Sequence, residues 1–134
     1  MAKNSKKPTR SKLVSKLDII FSKYIRLKDC DNNGIAICVT CAKPHYWKDI
    51  QAGHFMSRKH YSIRWDERNV KPQCKACNVF RYGEQYKYSL YLGKELSDEL
   101  HSLSHKIVKF SSNELNEMIN YYTKLVKELE KQYI

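Results

Sequence analysis

The chain has 134 residues, of which 25 are Lys or Arg and 14 are Asp or Glu, so its formal net charge is +11 with histidine counted neutral. This length suits one domain, and 42% apolar residues are too many for a disordered chain. The longest apolar run, 35–39, is far shorter than the roughly 20 residues that a membrane-spanning helix needs, and no signal-peptide core follows the basic N-terminus. We therefore expect a soluble, cytoplasmic protein without a membrane partner, whose excess of cations favours a polyanion such as DNA.

The N-terminal part is expected to be a basic arm followed by one helix. Residues 1–12 carry several Lys and Arg, no carboxylate and almost nothing to bury, which is typical of a flexible arm. From Leu13 onward, apolar residues recur at intervals of three and four, which predicts a helix over about 12–28 within an N-terminal region of 13–33. The turn-forming residues 31–34 end this helix.

The rest of the chain changes character twice. The middle part, 34–93, shows short extended pieces over 34–39 and 51–56, and then a helix from Cys74 to Gly93. Further helices are predicted over 96–107 and from Ser111, where Glu114 completes a capping box. The near-heptad apolar stripe of the last helix is expected to pack on the chain's own helices, with a homodimer as the alternative. We therefore expect a single domain over 13–134, with its C-terminal helices in 94–134.

Four of the five cysteines form two Cys-x-x-Cys pairs, Cys38/Cys41 and Cys74/Cys77, with 32 residues between the pairs. Two such pairs indicate a tetrahedral, structural Zn²⁺ site, because each tight turn presents two thiolates to one metal. Disulfides are the alternative, but they are disfavoured in a reducing compartment. Cys30 lies outside both pairs and is expected to be an ordinary buried or half-buried side chain.

The segment between the two pairs is where the chemistry is expected. His54 lies in a predicted strand, and Asn78 follows the last cysteine at a predicted helix start, so a shared zinc ion would bring the two close together. A neutral histidine can take a proton from water, and an Asn oxygen can help to hold a hard divalent cation. The alternatives are a structural histidine and an Asn that only caps the helix.

Spaced motifs fill the chain from the first cysteine pair to Gly93. They are CVTC (38–41), QAGHF (51–55), SRKH (57–60), RWDERN (64–69), QCKACN (73–78) and YLG (91–93). Their order resembles that of the ββα-metal nucleases, also called HNH or His-Me finger nucleases. More narrowly, the sequence resembles the phage NinG family, also called Rap recombinases, from about residue 35 to the helix that contains NEL (113–115).

The resemblance implies an endonuclease that uses Mg²⁺ or Mn²⁺ and cuts branched recombination intermediates, such as Holliday junctions and D-loops, in the bacterial host. It also implies an α+β fold in which a zinc-clamped ββα-metal core is flanked by N-terminal and C-terminal helices. His54 corresponds to the general base, Asn69 to the residue that fixes the loop of the base, and Asn78 to a catalytic metal ligand. Asn69 as a plain turn residue is the alternative.

One position departs from the superfamily pattern. Many members have Asp directly before the catalytic His and use it as a second metal ligand, whereas this chain has Gly53. Either His60 or Asp66 replaces that ligand, or catalysis is weakened. A plain surface histidine is the alternative for His60.

Basic residues of the same segment are candidates for phosphate contacts. Arg58 and Arg64 are expected to act in catalysis by holding phosphates, because a guanidinium matches pairs of phosphate oxygens; solvated charge is the alternative. Two further functions compete with the nuclease: a zinc-knuckle DNA-binding module without catalysis, and a zinc scaffold for protein assembly through the last helix. The remaining predicted DNA contacts are Lys6, Lys7, Arg10, Lys59, Arg68, Lys75 and Arg81.

Overall fold

The computed structural model describes residues 8–132, which form helices and two small antiparallel sheets. Short helical turns lie at 47–49, 61–63 and 67–69, and a π-helical turn spans Ala76–Phe80. None of the described helices is long and apolar enough to cross a membrane. The helices and strands are α1 (Arg10–Lys28), β1 (Ile35–Ile37), β2 (Pro44–Tyr46), β3 (Gln51–His54), β4 (Val70–Gln73), α2 (Gln85–Leu92), α3 (Lys94–Ser104) and α4 (Ser112–Glu130).

The main core lies between α1 and α4. The apolar stripe of α1, which includes Leu17 and Phe21, packs against Leu115 and Tyr122 of α4, and the rings of Phe21 and Tyr122 meet edge to face with centroids 5.0 Å apart. The stripe of α4 therefore packs on the chain's own helix, as the sequence predicts. Because α1 packs on this stripe, the homodimer and the assembly scaffold would use other surfaces of the chain, and both stay predictions.

The middle of the chain forms two antiparallel hairpins. In the first, Ile35 pairs with Tyr46 across β1 and β2; in the second, Gln51 pairs with Gln73 and His54 with Val70 across β3 and β4. A backbone hydrogen bond of 2.9 Å from the Val39 amide to the Pro72 carbonyl joins the two hairpins. Consequently, the two Cys-x-x-Cys pairs lie at adjacent ends of the two sheets.

Capping side chains determine where α1 and α4 begin. The Thr9 hydroxyl accepts a hydrogen bond from the Lys12 amide, so α1 begins at Arg10 and the last three residues of the predicted arm are helical. Lys6 and Lys7 lie outside the described residues. At α4, Ser111 and Glu114 form both hydrogen bonds of the predicted capping box, which is confirmed.

Two predicted helices and two predicted strands are shorter than expected. The helix from Cys74 to Gly93 is interrupted, because 82–84 have positive φ angles of 54°, 87° and 48° between the π-helical turn and α2. Helix α3 ends at Ser104. The apolar spacing in the sequence extended the helix to Ile107, but Ile107 is fully exposed, so no packing stabilises a longer helix. Strands β1 and β3 stop at residues 37 and 54, where the chain turns into the first cysteine pair and into the loop 55–69.

Candidate functional site

The four paired cysteines come together at the junction of the two hairpins. Their Sγ atoms all lie within 4.8 Å of one another, and those of Cys41 and Cys74 are 3.8 Å apart. A tetrahedron with Zn–S distances of 2.3 Å has edges of about 3.8 Å. The backbone amide of Cys74 also donates to Cys38 Sγ at 3.3 Å, so a fixed dipole faces the sulfur. The cluster thus fits one zinc ion, and none of the cysteines within 8–132 forms a disulfide.

Burial makes this cluster dependent on a cation. It raises the pKa of the Cys74 thiol to about 12. Burial opposes ionisation of Cys38 as well, but hydrogen bonds from the Cys74 amide and Thr40 bring its pKa down to about 6. Since zinc binds thiolates, the ion itself would supply the charge that keeps the buried sulfurs deprotonated. Cys30 lies outside this cluster and is half-buried, as the sequence predicts.

A cavity of about 610 Å³ opens between α1, β3 and the segment 78–85, which directly follows the last cysteine of the cluster. It brings together two residues that the sequence singles out, His54 and Asn78, together with Arg58. Helix α1 supplies a wall that sequence reasoning missed. The polar side chains that line the cavity include Asp18, Arg26, Gln51, His54, Arg58 and Asn78.

His54 is held in one tautomer by its surroundings. Its Nε2 lies 2.8 Å from the backbone carbonyl oxygen of Arg64. A carbonyl oxygen can only accept, so Nε2 carries the proton and Nδ1 keeps a lone pair. Burial lowers the pKa of His54 below its ordinary value of 6.5, which keeps the imidazole neutral at pH 7. The arrangement can therefore accept a proton at Nδ1.

Asn69 closes the loop that carries this carbonyl. Its side chain is fully buried. Its Oδ1 accepts from the Met56 amide at 2.8 Å, while its Nδ2 donates to the carbonyls of Met56 and Ile63 at 2.9 and 3.2 Å. Three hydrogen bonds thus tie both ends of the loop to one amide side chain, which fixes the backbone around His54 and Arg64.

Asn78 follows the last cysteine on the π-helical turn. Its Nδ2 donates to Gln51 Oε1 at 2.8 Å, so the amide is oriented by a residue of β3. Its carbonyl oxygen, Oδ1, remains as an acceptor on the other side of the amide. Asn78 is thereby connected to the strand that ends at His54.

Asp18 is a site residue that sequence reasoning missed. Its carboxylate accepts from Arg64 Nε at 3.1 Å, from Arg64 Nη2 at 2.5 Å and from Trp65 Nε1 at 3.0 Å. The signal was present, because Asp18 interrupts the apolar row of Val14, Phe21 and Ile25 on α1. A carboxylate in such a row needs buried partners, and the structure supplies them.

The side chain of Arg64 has partners within the chain, and its role in holding a phosphate stays a prediction. Its guanidinium pairs with Asp18 and lies over the rings of Tyr61 and Trp65, at 5.0 and 5.5 Å from their centroids. Arg64 is therefore occupied in positioning the loop, and its backbone carbonyl, rather than its side chain, faces the site. Arg58 stays largely exposed at the cavity, with Nη1 3.6 Å from Asp18 Oδ2, so it can contact a phosphate.

The other candidates lie away from the cavity wall. Neither His60 nor Asp66 lines the cavity. Asp66 caps the turn 67–69 and pairs with Arg68, which also pairs with Glu99. Their role as catalytic-metal ligands stays a prediction. Among the remaining predicted DNA contacts, Lys59 and Lys75 are exposed, Arg81 is exposed with Nη1 3.9 Å from Cys77 Sγ, and Arg10 donates to the Phe110 carbonyl.

Gly53 is required by its neighbour on β4. A Cβ added at this position would overlap Gln73 Oε1 and lie 2.7 Å from Gln73 Cβ. Gln73 cannot simply move away, because it is fully buried and its Nε2 donates to Thr40 Oγ1 and to the Gly83 carbonyl. Packing thus excludes an aspartate, or any other side chain, at position 53.

We therefore expect Gly53→Ala and Gly53→Asp to lower the free energy of unfolding by about 1–3 kcal/mol or more, as in other overpacked cores. Urea unfolding of the zinc-loaded protein measures this loss. The double variant Gly53→Ala, Gln73→Gly should lose less stability than the sum of the two single variants, since both the Oε1 and the Cβ of residue 73 are gone. Additive losses would show that Gln73 does not exclude a side chain at position 53.

Comparison with known proteins gives one match. A family model described as "Bacteriophage Lambda NinG protein" matches residues 1–132. No curated protein and no solved structure matches the chain significantly.

Proposed function

Because the chain belongs to the bacteriophage lambda NinG protein family, we propose that it is a metal-dependent DNA endonuclease with an HNH-type core. We infer that it serves phage recombination in the cytoplasm of the bacterial host by cutting branched DNA. The observation that carries this proposal is one cavity lined by both His54, whose Nδ1 keeps a lone pair, and Asn78, which directly follows the four-cysteine cluster in the chain. The order of strand β3, loop, strand β4 and helical turn supports the HNH-type core.

In the proposed reaction, His54 Nδ1 takes a proton from a water molecule. The resulting hydroxide attacks the phosphorus in line, and the bond from phosphorus to the 3′ oxygen breaks. Arg58, and Arg26 on the α1 wall of the cavity, hold the oxygens of the reacting phosphate. The Nε and Nη1 of Arg26 donate to the Ser22 and Trp47 carbonyls at 3.2 and 3.1 Å, so Nη2 is the nitrogen that would contact a phosphate.

The donors in the cavity suit a hydrated divalent cation. In the described part of the chain, the four cysteines form the one group of three or more His, Cys, Asp or Glu side chains that could hold a metal. Asn78 Oδ1 would therefore hold Mg²⁺ or Mn²⁺ together with water and substrate phosphate, which is common for Mg²⁺. When bound, such an ion supplies charge stabilisation to the leaving oxygen.

The pH dependence of cleavage follows from His54. Since the base must be neutral and burial lowers its pKa, the rate should rise by less than about twofold above pH 6.5. It should fall by about tenfold per pH unit only at more acidic values, below the lowered pKa. Initial rates at saturating Mg²⁺ measure this profile. A rate that still rises about tenfold per unit above pH 7 would contradict His54 as the base.

A non-catalytic DNA-binding module is the second candidate, favoured by Gly53 and by the net charge of +11. Cleavage of a synthetic four-way junction, with Mg²⁺ or Mn²⁺ and enough protein to saturate the DNA, separates the two functions. The proposal predicts cut strands with 5′ phosphates, because the bond to the 3′ oxygen breaks. Binding without cleavage under both metals would favour the module.

A further inference from the structure

Aromatic side chains are exposed along the segment that follows the second cysteine pair. Phe80, Tyr82 and Tyr86 are 69%, 90% and 76% exposed. Leu90 lies one helical turn after Tyr86 on the same face of α2, and it is exposed as well. The inner face of α2 is different, since Tyr88 is fully buried and its hydroxyl donates to the Gly53 carbonyl at 2.7 Å. The exposed rings are thus not needed for packing.

The backbone at Tyr82 is unusual for a bulky residue. Its φ angle is 54°, and the next two residues, Gly83 and Glu84, also have positive φ. Side chains larger than glycine rarely adopt this conformation, and such strain tends to occur at functional sites. Tyr82 lines the same cavity as His54 and Asn78. The fold therefore holds an exposed tyrosine in a strained position at the wall of the candidate active site.

Cations lie close to these rings in the sequence, and one of them lies over a ring. The segment 75–92 contains Lys75, Arg81 and Lys87, with Glu84 as its single carboxylate. Glu84 pairs with Lys87 at 3.0 Å, which leaves Lys75 and Arg81 exposed. The Lys75 ammonium lies 5.8 Å from the centroid of the Phe80 ring. Exposed aromatic faces next to lysine and arginine are the combination that binds the bases and phosphates of a single strand.

We propose that Phe80, Tyr82 and Tyr86 form a stacking surface for unpaired bases of the DNA strand that leaves the cavity. The bases of an intact duplex are stacked on one another and cannot cover these rings, so the surface selects the unpaired positions of the substrate. Lys75 and Arg81 contact the phosphates of the same strand. This inference rests on the proposed function for the path of the strand, but its test requires no cleavage.

The test measures affinity for oligothymidylate that carries one 2-aminopurine, and for a duplex of the same length. The zinc-loaded full chain is used without added divalent cation. Tyr82→Ala and Tyr86→Ala should each weaken single-strand binding by about tenfold and reduce the quenching of 2-aminopurine fluorescence, with duplex affinity unchanged. Tyr82→Phe keeps a stacking face and should bind as the parent does. Tyr121→Ala, which removes an exposed tyrosine of α4 outside the cavity, is the matched control.

Salt dependence separates stacking from charge. Lys75→Ala should lower the slope of log affinity against log salt by about one, whereas the tyrosine variants should leave the slope unchanged. Equal losses on single strand and duplex, or no loss in either tyrosine variant, would overturn the proposal. So would sedimentation data in which these variants convert a dimer to a monomer without changing DNA affinity. If the parent cuts no DNA but the tyrosine effects are found, the nuclease proposal fails and the stacking surface stands.

Discussion

Replacing His54 with alanine should lower the rate of DNA cleavage by at least about 100-fold, because a positioned general base contributes about 10²–10⁴-fold to such a reaction. DNA affinity and zinc content should stay at the parental values, since His54 belongs to neither the cysteine cluster nor an exposed basic patch. Rates on a synthetic junction, DNA affinity and bound zinc are measured on the same preparation.

Two further variants make this result specific. His54→Gln can still donate a hydrogen bond to the Arg64 carbonyl but has no basic nitrogen, so it should fold and should not cleave. His60→Ala removes a histidine of the loop 55–69. His60 does not line the cavity, so this variant should cleave at the parental rate. Parental activity in His54→Gln would show that another group is the base.

Loss of the zinc site should have the largest effect on the folded chain. A structural zinc ion of this kind contributes about 10–16 kcal/mol of apparent binding free energy, whereas whole domains have unfolding free energies of about 5–15 kcal/mol. Cys77→Ser should therefore release zinc, unfold the segment between the cysteine pairs and abolish cleavage. Elemental analysis and hydrogen exchange of backbone amides in 35–80 measure the two effects.

Cys30 provides the matched control for this experiment. It lies outside the four-cysteine cluster, and its Sγ donates to the Leu27 carbonyl at 3.1 Å, a bond that a serine hydroxyl can also form. Cys30→Ser should keep one zinc per chain and the parental cleavage rate. A Cys77→Ser protein that lacks zinc and still cuts DNA would contradict the structural role of the metal.

Local signals in the sequence account for much of the fold. The apolar periods of α1 and α4 depend on residues three and four apart, and the Ser111–Glu114 capping box depends on four consecutive positions. The two Cys-x-x-Cys pairs predicted the four-cysteine cluster because the spacing of metal ligands within one turn is also a local pattern. The same local patterns predicted too long a helix from Cys74. Residues 82–84 have left-handed backbone conformations that interrupt the helix, and the spacing of apolar residues does not reveal them.

The walls of the cavity could not be predicted in the same way. Arg26 enters the site only because α1 packs beside β3, a contact between distant parts of the chain. The pairing of Asp18 with Arg64 is likewise set by tertiary packing, although a carboxylate in an apolar row was a usable sign. The side chain of Gln73 fills the space next to Gly53. This contact could not be predicted, because no spacing rule connects two residues on neighbouring strands.

Asp18 contacts two arginines that have different roles: Arg64 holds the loop 55–69, and Arg58 can bind a phosphate. Its carboxylate lies against both Arg64, which is mostly buried, and Arg58, which is largely exposed. The bidentate pair with Arg64 holds the loop, while the longer contact to Arg58 is weak and solvent-accessible. Arg58 can therefore exchange this carboxylate for a phosphate without disturbing the carbonyl that binds His54.

The most direct test of the proposed site is a crystal of the zinc-loaded protein soaked in Mn²⁺, with anomalous scattering recorded for both metals. We expect zinc at the four cysteine sulfurs and manganese inside the cavity, next to Asn78 Oδ1 and on the Nδ1 side of His54. Manganese bound at Asp66 while the cavity stays empty, or a cysteine cluster that holds no zinc, would contradict this expectation.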